Sequence, residues 1–120
     1  MGDPLGDHGE NLAAEHLQQS GVEILERNWR CSLGEIDLVG RHGDCLVFVE
    51  VKTRRHMEAG HPLEAITARK MRQVIRCAKA WLQDHPSTEL QPRFDAVGII
   101  LGQGPPQIEW VQGAFGEDGC

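Results

Sequence analysis

Two short runs, Gly34-Glu35-Ile36-Asp37-Leu38-Val39 and Phe48-Val49-Glu50-Val51-Lys52-Thr53-Arg54, place charged side chains inside sequence that otherwise reads as apolar β-strand. Burying an ionised group beside Leu46, Val47, Phe48, Val49 and Val51 costs several kcal/mol unless a partner or a metal compensates it. The chain is therefore restricted to folds that pair the two runs and gather their charges at one point.

Side chains alternate between the faces of a strand, so Phe48, Glu50 and Lys52 share one face while Val47, Val49 and Val51 line the other. By the same rule Glu35 and Asp37 share a face, opposite Ile36 and Leu38. The intervening Arg41-His42-Gly43-Asp44 suits a tight hairpin centred on His42-Gly43. That turn pairs Asp37 with Phe48 and Glu35 with Glu50, and it sets Asp37 diagonally across from Glu50 at roughly 7–8 Å. A loop one residue longer or shorter would turn Asp37 to the opposite face, so the expectation rests on register parity.

Asp37 and Glu50 at that spacing suit a divalent ion. Mg²⁺, or Mn²⁺ in its place, is held by one or two carboxylates with positions left for water and substrate phosphate. Lys52 would point into the same site, where its ammonium can stabilise charge on a phosphate or orient the attacking water. Phosphodiester hydrolysis is the chemistry that uses this trio. The plain alternative is a solvated strand face carrying a Glu50–Lys52 pair. An E-x-K alone favours that alternative, whereas Asp37 at hairpin spacing within two apolar runs favours the site.

These segments, together with Arg93-Phe94-Asp95, resemble the YraN family, bacterial proteins of restriction-endonuclease-like fold, over about Gly9 to Leu101. The active-site pattern and the order of elements are also similar to archaeal Holliday-junction resolvases, within the wider PD-(D/E)XK nuclease superfamily. The resemblance implies that Asp37, Glu50 and Lys52 hold the superfamily's catalytic positions and that Glu10 holds that of an extra acidic residue on the first helix. It implies a fold and a site more firmly than a reaction, and it carries no substrate with it.

Glu10 also has a reading of its own. Glu10, Ala13, Ala14 and Leu17 recur at helical i, i+3, i+4, i+7 spacing and share a core-facing stripe. Two roles stay open for it: a capping box Asp7-x-x-Glu10, reaching back to the Asp7 amide, or a place in the metal or phosphate site, toward which the resemblance leans. Glu15 reads as solvent-facing.

At 120 residues the chain is expected to form one domain, burying roughly two-thirds of its unfolded surface, with residues 1–6 and 113–120 as flexible tails. Cys31, Cys45, Cys77 and Cys120 form no C-x-x-C pair, which points to free thiols in a reducing compartment. The six His residues show no ligand spacing either. The opening residues lack the basic-then-apolar pattern of a signal peptide, and position 6 lacks the Ser or Thr of a myristoylation site. No run is long enough to span a membrane. A cytoplasmic protein without membrane contact is expected.

A net charge of −6 argues against tight, nonspecific coating of DNA. Its distribution says more. From Lys52 to Lys79, eight Lys and Arg stand against Glu58 and Glu64, a net of +6, which leaves −12 on everything else. Arg54 and Arg55 fall in a Gly- and Pro-marked loop over Thr53 to Pro62. A helix is expected over Leu63 to Gln83, with Met71, Val74, Ile75, Ala78 and Leu82 on one face and Arg69, Arg72, Arg76 and Lys79 as a stripe on another. Lys70, near the apolar edge, can reach around toward the site. The stripe is either a solvated face or a surface for phosphates, and the lack of interleaved acids keeps the second reading in play. Trp29, Trp81 and Trp110 suit the core as well as a ligand, so base stacking is weakly signalled.

Val22 to Trp29 reads as the first strand, with Arg93 to Leu101 and Gln107 to Gln112 as the last two. The expected architecture is α/β and restriction-endonuclease-like: a mixed central sheet flanked by helices, in the order α-β-β-β-α-β-β, with the site where the second and third strands diverge. The expected function is a metal-dependent endonuclease-like protein acting on structured or single-stranded nucleic acid, DNA ahead of RNA, with a homodimer compatible. Two rivals stand beside it: a nucleic-acid-binding module of the same fold without cleavage, and an adaptor docking a protein partner in DNA maintenance or uptake.

Overall fold

A computed structural model describes residues 4–55 and 60–116. Helix α1 (Pro4–Gln19) buries Ala13, Ala14 and Leu17, the stripe expected from their spacing. It ends where Gly21 adopts φ 96° and the Val22 N–H donates back to the Leu17 carbonyl at 2.9 Å, a left-handed cap that glycine takes without Cβ strain. Strands β1 (Glu23–Cys31), β2 (Gly34–His42) and β3 (Cys45–Arg54) then form an antiparallel meander. A 3₁₀ turn (Pro62–Ala65) and helix α2 (Ala68–Asp84) cross over to β4 (Gln91–Ile100), which runs parallel to β3, and β5 (Gln107–Phe115) closes the edge antiparallel to β4. The sheet order is β1-β2-β3-β4-β5, and the order of helices and strands is the one expected.

Alternation along β3 divides the core into two layers. Leu46 and Phe48 face α2, packing with Val74, Cys77, Ala78 and Trp81. Val47 and Val49 face α1, packing with Ala13, Leu17, Val97 and Ile99. Trp81 is core; Trp29 and Trp110 pack against the two layers from their margins.

Four expectations need correction. The β2–β3 turn is centred on Gly43-Asp44, not His42-Gly43: His42 pairs with Cys45 and Val39 with Phe48, because Gly43, at φ 62°, serves as the first rather than the second turn residue. The register therefore slides by two, which preserves face parity and brings Glu50, rather than Phe48, level with Asp37. Second, α2 begins at Ala68, not Leu63. Ile66 is extended, and the Thr67 hydroxyl caps the helix by accepting from the Lys70 N–H at 3.1 Å. Third, residues assigned to the tails belong to elements: α1 includes Pro4–Gly6, and β5 runs on through Gly113 to Phe115, which is buried. Fourth, Thr53 and Arg54 complete β3 rather than opening the loop; His56–Ala59 of that loop lie outside the described residues. No helix among the described residues is long and apolar enough to cross a membrane.

Candidate functional site

The local fold at Asp37 departs from a plain strand. Ile36 and Val39 both face α2 while Leu38 faces α1, so strict alternation slips at Asp37, and Ile36 does not share a side with Leu38 as expected. Across the sheet the register sets Arg27 against Leu38 and Trp29 against Ile36, which brings Asn28 level with Asp37. Asn28 adopts φ 53°, the one left-handed non-glycine among the described residues. Asn tolerates that conformation better than most residues, at a cost of order 1 kcal/mol. Beyond Leu38↔Val49 the β2–β3 ladder gives way: the Val51 N–H donates to Asp37 Oδ2 at 2.8 Å. The carboxylate thus sits in the opening between the two strands.

Three acids from three elements converge there. Asp37 and Glu50 are buried, and each bears on the protonation of the other. Burial pushes Asp37 upward from the ordinary carboxylate range against the Val51 hydrogen bond, which opposes it. Burial, and then the charge of Asp37, push Glu50 up to about 8. Glu10, from α1, is half-buried; burial and then Asp37 raise it to about 7, and the Asn28 side chain hydrogen-bonded to it pulls the other way. Glu10 Oε1 and Glu50 Oε2 are buried without hydrogen-bond partners among the described residues. Asp7 lies within the first turn of α1, too far into the helix to be the cap of an Asp7–Glu10 capping box.

The cations arrange themselves differently from the sequence order. Lys70, from the first turn of α2, places Nζ 3.9 Å from Glu50 Oε1 and lowers the pKa of both Asp37 and Glu50. Lys52 is exposed and acts on Glu50 more weakly than Lys70 does. Lys70 also lines a groove of about 700 Å³ with Leu33, Thr67, Arg69, Arg72, Gln73 and Arg76, and no acid lines it among the described residues. Lys79 lines a separate hollow with Arg72 and Arg76. Arg54 and Arg55 line neither; Arg54 Nε is buried without a described partner and Arg55 is exposed.

The donor chemistry fits a hard divalent cation. Asp37 and Glu50 offer carboxylate oxygens that repel one another when ionised, and two buried oxygens in the cluster have no donor, a state that an oxygen-seeking cation relieves. Among the described residues no three His, Cys, Asp or Glu side chains form a ready-made cage, so the cation would be held by two carboxylates plus water or phosphate.

Several contributors were not legible in the sequence. Asn28 carries a weak signal, an Asn within a strand run. Gln73, whose Nε2 donates to the Leu33 carbonyl at 3.1 Å, and Leu33 itself carry none. Cys31 and Cys77, remote in sequence, meet with their sulfurs 3.8 Å apart, and burial pushes the Cys77 thiol up to about 11.

Comparison with known proteins matches residues 9–99 to the model of an uncharacterised protein family, UPF0102. A UPF0102 protein of Rhodococcus jostii is 52% identical over 112 residues, covering 92% of this chain and 95% of the relative. One from Acidothermus cellulolyticus is 47% identical over 122 residues, covering 92% of each, and one from Syntrophotalea carbinolica is 44% identical, covering 96% of this chain and 94% of the relative.

Proposed function

We propose that this chain, which belongs to the family UPF0102, is a metal-dependent nuclease-like protein of restriction-endonuclease-like type that hydrolyses phosphodiesters in structured or single-stranded nucleic acid. The observation that carries the reading is the junction at Lys70: one side chain belongs both to an acid-free cationic groove and to a pair of buried, proton-hungry carboxyls. A phosphate drawn along Arg69, Arg72 and Arg76 would meet Lys70 beside Glu50, next to the two carboxylates. Asp37 and Glu50 would hold Mg²⁺ or Mn²⁺, with Glu10 adjoining them. When bound, such a cation polarises a phosphoryl oxygen and acidifies a water. Asp37 is oriented by the Val51 amide, Lys70 and Lys52 would offset charge developing on the phosphate, and the Asn28 side chain favours the ionised form of Glu10.

Calorimetry with Mn²⁺ tests the metal half: Asp37→Asn or Glu50→Gln should weaken binding sharply, since each removes an ionised oxygen ligand. Cleavage of branched, single-stranded and duplex DNA and of RNA tests the rest. Lys70→Ala should reduce cleavage by roughly 10²–10³, the scale for losing one electrostatic stabiliser, and Lys52→Ala by less. Equal Mn²⁺ affinity in wild type and both acid variants overturns the metal site. A second reading, a binding module without cleavage, is favoured by the lack of a three-ligand cage among the described residues; nucleic-acid binding with no cleavage under any metal would select it.

A further inference from the structure

Leu33 is one of three large hydrophobic side chains left well exposed among the described residues, at 47%, and the one that lines the cationic groove. Its backbone is pinned. The Leu33 N–H donates to Cys31 Sγ at 3.4 Å, and its carbonyl accepts from Gln73 Nε2. The next residue, Gly34, adopts φ 142°, and a Cβ there would stand 2.6 Å from Gln73 Nε2. The β1–β2 tip therefore lies flush on α2, the helix that carries the cations, with its backbone held and its apolar side chain projecting.

Four cationic residues, Arg69, Lys70, Arg72 and Arg76, surround a single apolar side chain, and among the described residues no aromatic or acidic one joins them. The cations match a chain of phosphates, whereas Leu33 gains nothing from phosphate and needs an apolar partner to leave water. A polyanion that offers both is a nucleic acid whose base faces are accessible. In a duplex those faces are stacked on one another, while an unpaired strand displays them, and leucine is among the side chains that wedge against bases.

We propose that the groove takes an unpaired nucleic-acid segment, with phosphates on Arg69, Arg72 and Arg76 and a base packed against Leu33. The proposal rests on the nucleic-acid reading of the groove and narrows it to one substrate class. Leu33 is a specificity residue: it contacts the base and takes no part in the phosphate electrostatics.

The test uses the full chain with DNA and RNA oligonucleotides of about 12 nucleotides, single-stranded or duplex, each carrying one 2-aminopurine. Wild type should prefer the single strand and raise the probe's fluorescence as its base leaves the stack. Leu33→Ala should lose about 3- to 10-fold in affinity for the single strand, lose the fluorescence rise, and keep the salt dependence unchanged, since no phosphate contact is removed. Leu33→Met should restore both. Arg72→Ala with Arg76→Ala should instead flatten the log–log salt slope by up to about 2. If Leu33→Ala matches wild type in affinity and fluorescence while the arginine variant still flattens the slope, the base contact is wrong and the phosphate reading stands. If Leu33→Ala weakens single strand and duplex alike, the preference for unpaired strand is wrong. If wild type binds no oligonucleotide even at low salt, the phosphate reading fails and this one with it.

Discussion

Asp95 and Glu50 are buried carboxyls on neighbouring parallel strands, one pairing step apart, since Asp95 pairs with Val49 and Glu50 with Ala96. The fold treats them in opposite ways. Asp95 is fully buried and saturated: Arg93 donates from Nε and Nη2 at 2.9 Å each, Trp110 Nε1 donates at 2.9 Å, and the Gly113 N–H donates at 3.0 Å. Among the described residues, Glu50 keeps one oxygen without a donor and lies beside a second acid, with Lys70 Nζ 3.9 Å from its other oxygen. A saturated buried charge ties β4 to β5 and is complete in itself. An unsaturated one is tolerated by keeping its proton, or where something external completes it.

The sharpest way to break this contrast is to remove each carboxyl in turn. Asp95→Ala strands the Arg93 charge and the Trp110 and Gly113 donors, and should cost about 3–5 kcal/mol in urea unfolding. Glu50→Gln mimics the protonated acid that the site prefers, and at pH 8 should stabilise the metal-free protein by about 1 kcal/mol or more, a tenfold change in proton affinity being worth about 1.4 kcal/mol. Equal losses from the two substitutions would erase the distinction.

A smaller effect follows from pH. Burial raises Glu10 to about 7 and Glu50 to about 8, from 4.5 for each in its ordinary state. A raised folded-state pKa contributes stability that is complete below about pH 4.5 and is lost as pH rises through those two values. Denaturant midpoints of the metal-free protein should therefore fall between about pH 4.5 and 8, and Mn²⁺ should shrink the fall by favouring the ionised forms. In Glu50→Gln the upper part of the fall should vanish. A flat profile in wild type would place both acids in ordinary surroundings.

The smallest effect sharpens the contrast at Asn28. Asn28→Gly keeps the left-handed conformation open and should change stability little, whereas Asn28→Ala should cost about 1 kcal/mol. Both remove the hydrogen bond that lowers the Glu10 pKa, so both should move the Glu10 titration, followed by NMR, to higher pH. An unmoved titration would show that Asn28 is only a backbone device.

The strand pair and its carboxylates were legible because alternation is local: Val47, Phe48 and Val49 announce their faces within three residues. The hairpin turn was misplaced by one residue because a glycine can fill either central position, and Gly43 takes the first. The start of α2 was misread because Leu63 and Ile66 suit the helix's apolar face, and only the Thr67 cap marks the boundary. Asn28, Leu33 and Gln73 stayed hidden for a different reason. They join the site through tertiary contacts such as Gln73 to Leu33, 40 residues apart, which no periodicity records. Lys70 was visible as a side chain able to reach the site, but its lead over Lys52 was not, because that depends on where α2 docks.

The parallel pairing of β3 with β4, the one such pairing among the described residues, has a consequence for the order of assembly. The meander β1-β2-β3 and the hairpin β4–β5 close over short loops, but β3 and β4 can join only after the chain carrying α2 has crossed over. Asp37 and Glu50 face each other within the local meander, where water still screens them. Their repulsion is felt in full only once α1 brings Glu10 and α2 closes over the sheet and removes that water. A penalty that enters late acts on the rate at which the native state opens more than on the rate at which it forms. Charging the acids should thus shorten the lifetime of the folded protein while leaving its birth nearly untouched, an outcome that unfolding and refolding rates measured across about pH 5 to 8 would check.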